Sequence, residues 1–319
     1  MRALIIGSSG QDGRLLSELS IAAGDNVIGL LHRRSAIAEP VDGVRYLAVD
    51  YTDAQAVAQT LEECAPDVCY NFAALSTGHG MYDDLDMMHR INVDLPIALL
   101  NRLIANPRLR SNTRFVQAGS SEIFGDSANP PQGEETPATP ISPYAVGKLY
   151  VHQYAVSAIK NFGVSAVPAI LFTHESIYRS RHYFTGSLIQ QAIDVREGRS
   201  GEVRVGNLDA VRDWGCAREY CMILRELVLR DWKGPVAVGS GRTYRAGDVV
   251  SYVFRRLGLD ESVLCVDPGL VRQELRRHTA DTRLLSGMGL EPSRSFYDVL
   301  DEMIEARLPG IGLEEAKSE

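Results

Sequence analysis

The 319-residue chain contains no apolar run long enough to cross a bilayer, which excludes a helical membrane span. Its five cysteines (Cys64, Cys69, Cys216, Cys221 and Cys265) are odd in number and form no C-x-x-C pair, so reduced, mostly buried thiols are expected. The seven histidines are scattered without H-x-x-E-H or mixed Cys/His spacing, and no metal site is expected. An excess of basic charge is also missing. With 33 Lys and Arg against 41 Asp and Glu, the net charge of −8 argues against a nucleic-acid partner, although a local basic patch can still hold phosphates. No internal repeat is present. Met1-Arg2 leads straight into Ala-Leu-Ile-Ile-Gly, which reads as a strand rather than a signal peptide, so a soluble, cytoplasmic protein is the expectation.

What is present is ordinary globular composition, 45% hydrophobic and 23% charged, enough for one large domain or two coupled ones. Short apolar runs at 3–6, 27–31, 46–49, 68–72, 114–118 and 166–172 read as strands. Helical patterns at 13–23, 54–63, 88–105 and 144–162 lie between them. Such alternation predicts an α/β fold with a doubly wound parallel Rossmann sheet. The rhythm breaks beyond Phe172, where an Arg-rich stretch at 176–182 and short mixed elements predict a smaller C-terminal lobe facing the strand ends. The expected division is a dinucleotide-binding domain over 1–172, with a returning segment near 208–238, and a substrate-binding lobe from 173–207 and 239–319. The polar tail from Pro309 is expected to fray.

Gly7-Ser8-Ser9-Gly10-Gln11-Asp12-Gly13 stands between the first strand and the first helix. Its glycines permit a tight turn and let a pyrophosphate approach free N–H groups at the helix N-terminus. The second strand ends in His32-Arg33-Arg34-Ser35, where an acid would select NAD and arginines favour the extra phosphate of NADP. NADP is therefore expected. Asp50, followed by Tyr51, is placed beside the adenine, and Ala73 and Ala74 would admit the nicotinamide ribose.

Tyr144 and Lys148 share one helix face in Ser142-Pro143-Tyr144-Ala145-Val146-Gly147-Lys148. A lysine cation beside the phenol would lower its pKa from about 10 and let it take a proton from a sugar hydroxyl. Ser120-Ser121-Glu122 precedes the pair; on an extended segment its first and third side chains would share a face.

Together these residues resemble the extended short-chain dehydrogenase/reductase family, and within it the GDP-mannose 4,6-dehydratase branch. The likeness is carried by Gly10 to Gly13, Arg33-Arg34-Ser35, Tyr70 to Ala74, Ser120 to Gly125, Ser142 to Tyr150, Leu171 to Ser176 and Val205 to Gly215. It implies a nucleotide-diphosphate sugar as substrate, with Tyr144 oxidising C4, Ser120 holding and relaying, and Glu122 removing the C5 proton before water leaves from C6. It adds His174 to the cofactor residues. Ser76, Ser121, Thr173, Glu175, Asn207, Arg212, Arg272 and Glu274 are then expected around the substrate. Helices near 95–104 and 150–159 would pack as a four-helix bundle in a homodimer, and Arg33-Arg34-Ser35 would allow a tetramer.

Several positions depart from the family pattern. Thr173 replaces an asparagine, Phe184-Thr185-Gly186-Ser187-Leu188 lacks a nucleotide-gripping basic pair, and the segment around Arg272 lacks a proline. The loop Ser76 to Met81 differs apart from Ser76. A 4-keto-6-deoxy-sugar reductase or epimerase, and a non-catalytic redox sensor of the same fold, stay open as alternatives.

Overall fold

The computed structural model describes residues 1–35, 40–76, 82–125, 130–270 and 277–308. Arg272 and Glu274, and the loop residues 77–81, lie outside them. The chain opens with β1 (Arg2–Ile6), α1 (Gln11–Ala22), β2 (Asn26–His32), β3 (Arg45–Val49), α2 (Ala54–Cys64) and β4 (Val68–Asn71). It continues with α3 (Leu85–His89), α4 (Leu95–Ala105), α5 (Pro107–Asn112), β5 (Arg114–Ala118), α6 (Pro143–Phe162) and β6 (Ala166–Leu171). These strands and the later β10 (Val236–Val238) build one parallel sheet in the order β10-β6-β5-β4-β1-β2-β3. The order reverses between β1 and β4, and a crevice for a ligand opens there beyond the carboxyl ends of the strands.

Alternation along β1 feeds two cores. Ala3 and Ile5 pack with Leu15, Leu16, Tyr220 and Leu224, whereas Leu4 and Ile6 pack with Leu95, Leu99, Ala155 and Ala158. Helices therefore cover both faces, and near-continuous apolar strands are the consequence.

The chain continues with β7 (Thr173–Glu175), α7 (Phe184–Arg196), β8 (Val203–Val205), β9 (Val211–Cys216), α8 (Ala217–Leu229), β10 (Val236–Val238), β11 (Thr243–Arg245), α9 (Ala246–Leu257), β12 (Leu264–Val266), α10 (Arg283–Gly287) and α11 (Phe296–Glu305). Of these, α8 packs on α1 and β10 joins the large sheet. A small sheet, β11-β9-β7, leads away from the end of β6, and a separate core joins α7, α9 and α11.

One expected helix is divided. The pattern over 88–105 begins earlier, at Leu85, and passes through a π-helical turn at Arg90–Asp94 before α4. Pro96 at the start of α4 explains the break, because it has no N–H to donate and its ring crowds the carbonyl one turn back. Among the described residues, no helix is long and apolar enough to cross a membrane, and no cluster of three or more His, Cys, Asp or Glu could hold a metal.

Candidate active site

The glycine turn is shaped by close approach. Gly7 has φ +85°, and a Cβ there would lie 2.8 Å from the Ala73 nitrogen. A Cβ on Gly13 would lie 2.2 Å from the Gly7 carbonyl oxygen, so only glycine lets α1 press against the turn. Gly10 differs: its Cβ would meet nothing closer than 3.4 Å, so the space above it is open on the protein side. Gly10 is also the N-cap of α1 and leaves the first N–H groups without a side-chain cap. A cavity of about 310 Å³ faces this turn, walled by Phe72, Ala74, Ser76, Tyr178, Arg179 and Tyr183. These features fit a dinucleotide pyrophosphate. Gly13→Ala is expected to destabilise the fold by about 1–3 kcal/mol through overpacking. Gly10→Ala should keep the melting temperature within a few degrees yet weaken dinucleotide binding, as thermal unfolding and coenzyme titration would report.

Tyr51 occupies a different place from the one expected. Its hydroxyl donates to the Leu30 carbonyl at 2.6 Å and accepts from the Gly7 N–H at 2.9 Å, so it anchors the turn from beneath. Burial pushes its pKa above the ordinary tyrosine value. Asp50 accepts from the Thr52 hydroxyl and N–H and pairs with Arg33 at 2.9 Å. Those hydrogen bonds, with help from Arg33 and His32, hold its carboxyl below the usual range. Arg33 and Arg34 are exposed at the end of β2.

Gln11 and Asp12 tie the turn to the second lobe. Gln11 donates to the His174 carbonyl at 3.1 Å and accepts from the Ser176 hydroxyl at 3.0 Å, while His174 Nε2 lies 3.0 Å from both oxygens of Asp12. Burial opposes charge on both partners, but their mutual attraction and hydrogen bond win, raising the His174 pKa and lowering that of Asp12. This linkage gives a physical reason for the two motifs to occur together. Glu175 does not face a ligand. It is 1% exposed and pairs with Arg179 Nε at 2.7 Å, so it supports the cavity wall instead of touching substrate. Burial raises its pKa although Arg179 pulls the other way.

The chemical centre forms where β5 meets α6. Ser142 caps α6 by accepting from the Ala145 N–H at 3.1 Å, and Pro143 starts the helix with φ already suitable. Tyr144 is 7% exposed and lies beside Ser120. Ser120 is not in an extended run with Glu122: it caps a 3₁₀ turn over Ser121–Phe124, accepting from the Glu122 N–H at 3.2 Å. The turn still places the Glu122 carboxylate in the field of Lys148 and Arg212. Burial raises the Glu122 pKa, and the two cations partly offset that rise. Lys148 is 4% exposed and donates to the Ala118 carbonyl at 3.1 Å. Burial lowers its pKa to about 8, with Glu122 opposing. The expected depression of the Tyr144 pKa is not seen in the free protein. Burial raises it, Glu122 and Tyr183 add to the rise, and the Ser120 hydrogen bond only moderates it.

The other expected substrate residues are dispersed. Ser76 shares a 2.8 Å hydrogen bond with the Tyr183 hydroxyl. Ser121 is buried beneath the 3₁₀ turn, and Thr173 begins β7 opposite Trp214. Asn207 accepts from the Asp209 N–H at 2.8 Å. Arg212 donates to the Val211 carbonyl at 2.9 Å, while Asp209 pairs with Arg245 and Asp213 accepts from Ser240, Gly241 and Ala280. Burial lowers the Arg212 pKa while Glu122 raises it.

A sequence model described as GDP-mannose 4,6 dehydratase matches residues 4–295. The chain belongs to the GDP-mannose 4,6-dehydratase family. It is 30% identical to the GDP-mannose 4,6-dehydratase of Vibrio cholerae over 276 residues, covering 81% of this chain and 72% of that one. It is 32% identical to the enzyme of the same name from Sinorhizobium fredii strain HH103, covering 81% and 76%. The fold is also similar to a dTDP-glucose 4,6-dehydratase from Bacillus anthracis solved in complex with NAD, with a TM-score of 0.81, 17% identity and 95% of each chain covered. The chain is thus of the extended short-chain dehydrogenase/reductase type, with a Rossmann-like parallel sheet.

Within this family frame, two residues of the cavity wall were not singled out from the sequence. Arg179 stacks its guanidinium 3.5 Å from the centre of the Tyr183 ring, and both line the cavity beside the glycine turn. The only available signal was the arginine-rich run at 176–182, which composition alone assigns to a polar loop.

Proposed function

We propose that this protein is an NADP-dependent nucleotide-sugar 4,6-dehydratase. The observation that carries the reading is one buried centre in which Tyr144 lies beside Ser120 while Glu122 stands in the field of Arg212 and Lys148. The bound nicotinamide would accept a hydride from C4 of the sugar and supply it later to C6. Tyr144 takes the C4 hydroxyl proton, Ser120 holds that oxygen and Lys148 stabilises the phenolate. The ketone so formed acidifies the C5 proton, which Glu122 removes. Arg212 favours the ionised form of Glu122 that acts as a base, and is also assigned to a substrate phosphate. Purified enzyme with NADP and a nucleotide sugar should give a 4-keto-6-deoxy product with no net change in absorbance at 340 nm. Stoichiometric loss of NADPH would instead identify a 4-keto-sugar reductase.

The nucleotide sugar is proposed to differ from GDP-mannose. In Phe184-Thr185-Gly186-Ser187-Leu188, the stretch that lacks the family's basic pair, Gly186 is buried and its Cβ would lie 2.4 Å from the Ser180 carbonyl oxygen. An arginine side chain has no room there without moving the backbone. Thermal-shift titration with GDP-, UDP-, CDP- and dTDP-sugars tests this; tightest binding of GDP-mannose would refute it.

Arg33 and Arg34, exposed beyond β2 where an acid is absent, are assigned to the 2′-phosphate of NADP. The double change Arg33→Ala with Arg34→Ala should raise the NADP Kd by about 10- to 100-fold, the value of one or two charge-assisted hydrogen bonds. The NAD Kd should stay within about threefold. A homodimer is proposed to form across α4 and α6, where Val146 and Tyr150 are each 53% exposed beside a groove of about 600 Å³.

A further inference from the structure

Eliminating water across C5–C6 requires two proton transfers, one from C5 and one onto the departing C6 oxygen, because hydroxide leaves poorly near neutral pH. Under the dehydratase reading, Glu122 takes the first. Among the described residues, the two serines next to Glu122 offer no separate acid for the second. Ser121 is a buried alcohol, and Ser120 is already engaged with Tyr144 and the Glu122 N–H.

A second phenol stands beside this centre. Tyr183 precedes α7, lines the cavity that faces the glycine turn, and is close enough to Tyr144 for their charges to interact. Its hydroxyl is fixed by Ser76 at 2.8 Å. Its ring centre lies 3.5 Å from the Arg179 guanidinium, which stacks on it and fixes its orientation. Tyr82, the other phenol within electrostatic reach of Tyr144, is 40% exposed and lacks this fixed environment.

We propose that Tyr183, held by Ser76 and Arg179, donates the proton to the C6 oxygen as water leaves. This rests on the 4,6-dehydratase reading above. The C5–H electron pair becomes the C5=C6 double bond as Glu122 takes the proton. The C6–O bond breaks with its electrons, and the Tyr183 O–H proton completes the water molecule. The phenolate regains a proton through the Ser76 hydroxyl from solvent. Tyr144 gains one proton when C4 is oxidised and gives it up to solvent before the next turnover, Tyr183 loses one and regains one, and Glu122 returns its proton to C5, so each turnover is proton-neutral.

The test compares Tyr183→Phe with the unaltered holoenzyme on the nucleotide sugar it turns over best and on the 6-deoxy-6-fluoro analogue of that sugar. Fluoride needs far less protonation to leave than hydroxide. On the hydroxyl substrate, kcat should fall by about 10²- to 10⁴-fold, the usual worth of general acid catalysis. On the fluoro analogue, the loss should shrink to within about fivefold. Oxidation at C4, followed as the first-turnover rise at 340 nm, and the NADP Kd should both be unchanged. Equal losses on the two substrates, or no loss on the hydroxyl substrate, would overturn the assignment of Tyr183 and leave the dehydratase reading standing. Turnover of no nucleotide sugar by the unaltered enzyme would overturn that reading and this assignment with it.

Discussion

Replacing Tyr144 by phenylalanine is expected to lower kcat by about 10³-fold or more while leaving nucleotide-sugar and NADP affinities near their original values, because the change removes one proton acceptor and almost no volume. The first-turnover rise at 340 nm should disappear, since oxidation at C4 is the step that fails. The pH profile makes the test sharper. Burial raises the Tyr144 pKa and lowers that of Lys148 to about 8, so the two groups compete for a single proton. Losing it from either gives an assembly of the same total charge, and the apparent pKa belongs to the pair. The rate should therefore rise with pH and level off above about pH 8. In Lys148→Met the phenol must ionise without a cation, and the rise should move to markedly higher pH.

Lys148 also carries a stability cost. Its folded pKa of about 8 lies below the ordinary lysine value of 10.5, so in this window the unfolded chain binds more protons than the folded one. The buried ammonium opposes folding below about pH 8, and the penalty is relieved as pH rises from there toward 10.5. Lys148→Met should accordingly be inactive yet more stable at pH 7, by about 1–3 kcal/mol. Denaturant unfolding at pH 7 and at pH 10 measures both the gain and its decline. Loss of stability at both values would indicate that the Nζ hydrogen bond to Ala118 outweighs desolvation.

The parts of the molecule legible in the sequence are those with local causes. The runs that became β1 to β6 are apolar because both faces of the sheet are covered, and the glycine turn announces itself through Gly7 and Gly13, where side chains would collide with backbone. The rest depends on distant partners. Thr173–Glu175 is too short to show a period, and it becomes a strand only because β9 pairs with it. Glu175 looked like a substrate contact because it stands between His174 and Ser176, yet its direction is set by Arg179 four residues later. Tyr183 and Arg179 gained their places from Ser76, more than a hundred residues earlier in the chain, and from the turn beside it. Ser120 and Glu122 were brought together by a 3₁₀ turn, whose tighter geometry no strand periodicity would reveal.

Glu122→Gln should separate the two halves of the reaction. Its neighbours Tyr144, Ser120 and Lys148 are untouched, so C4 oxidation should proceed for one turnover and absorbance at 340 nm should rise to the enzyme concentration and stay there. Formation of the 4-keto-6-deoxy product should fall by about 10²- to 10⁴-fold. Exchange of the C5 hydrogen with deuterium from solvent should stop with it. The wild-type pH profile contributes a second signature. Burial raises the Glu122 pKa while Arg212 and Lys148 restrain the rise, so product formation should fail on the acid side above the ordinary glutamate range. Arg212→Met removes the larger of these two restraints and should push that limb to still higher pH, the opposite of what simple loss of a phosphate contact would do. A persistent exchange of the C5 hydrogen in Glu122→Gln would show that another group takes the proton and that Glu122 only positions the sugar.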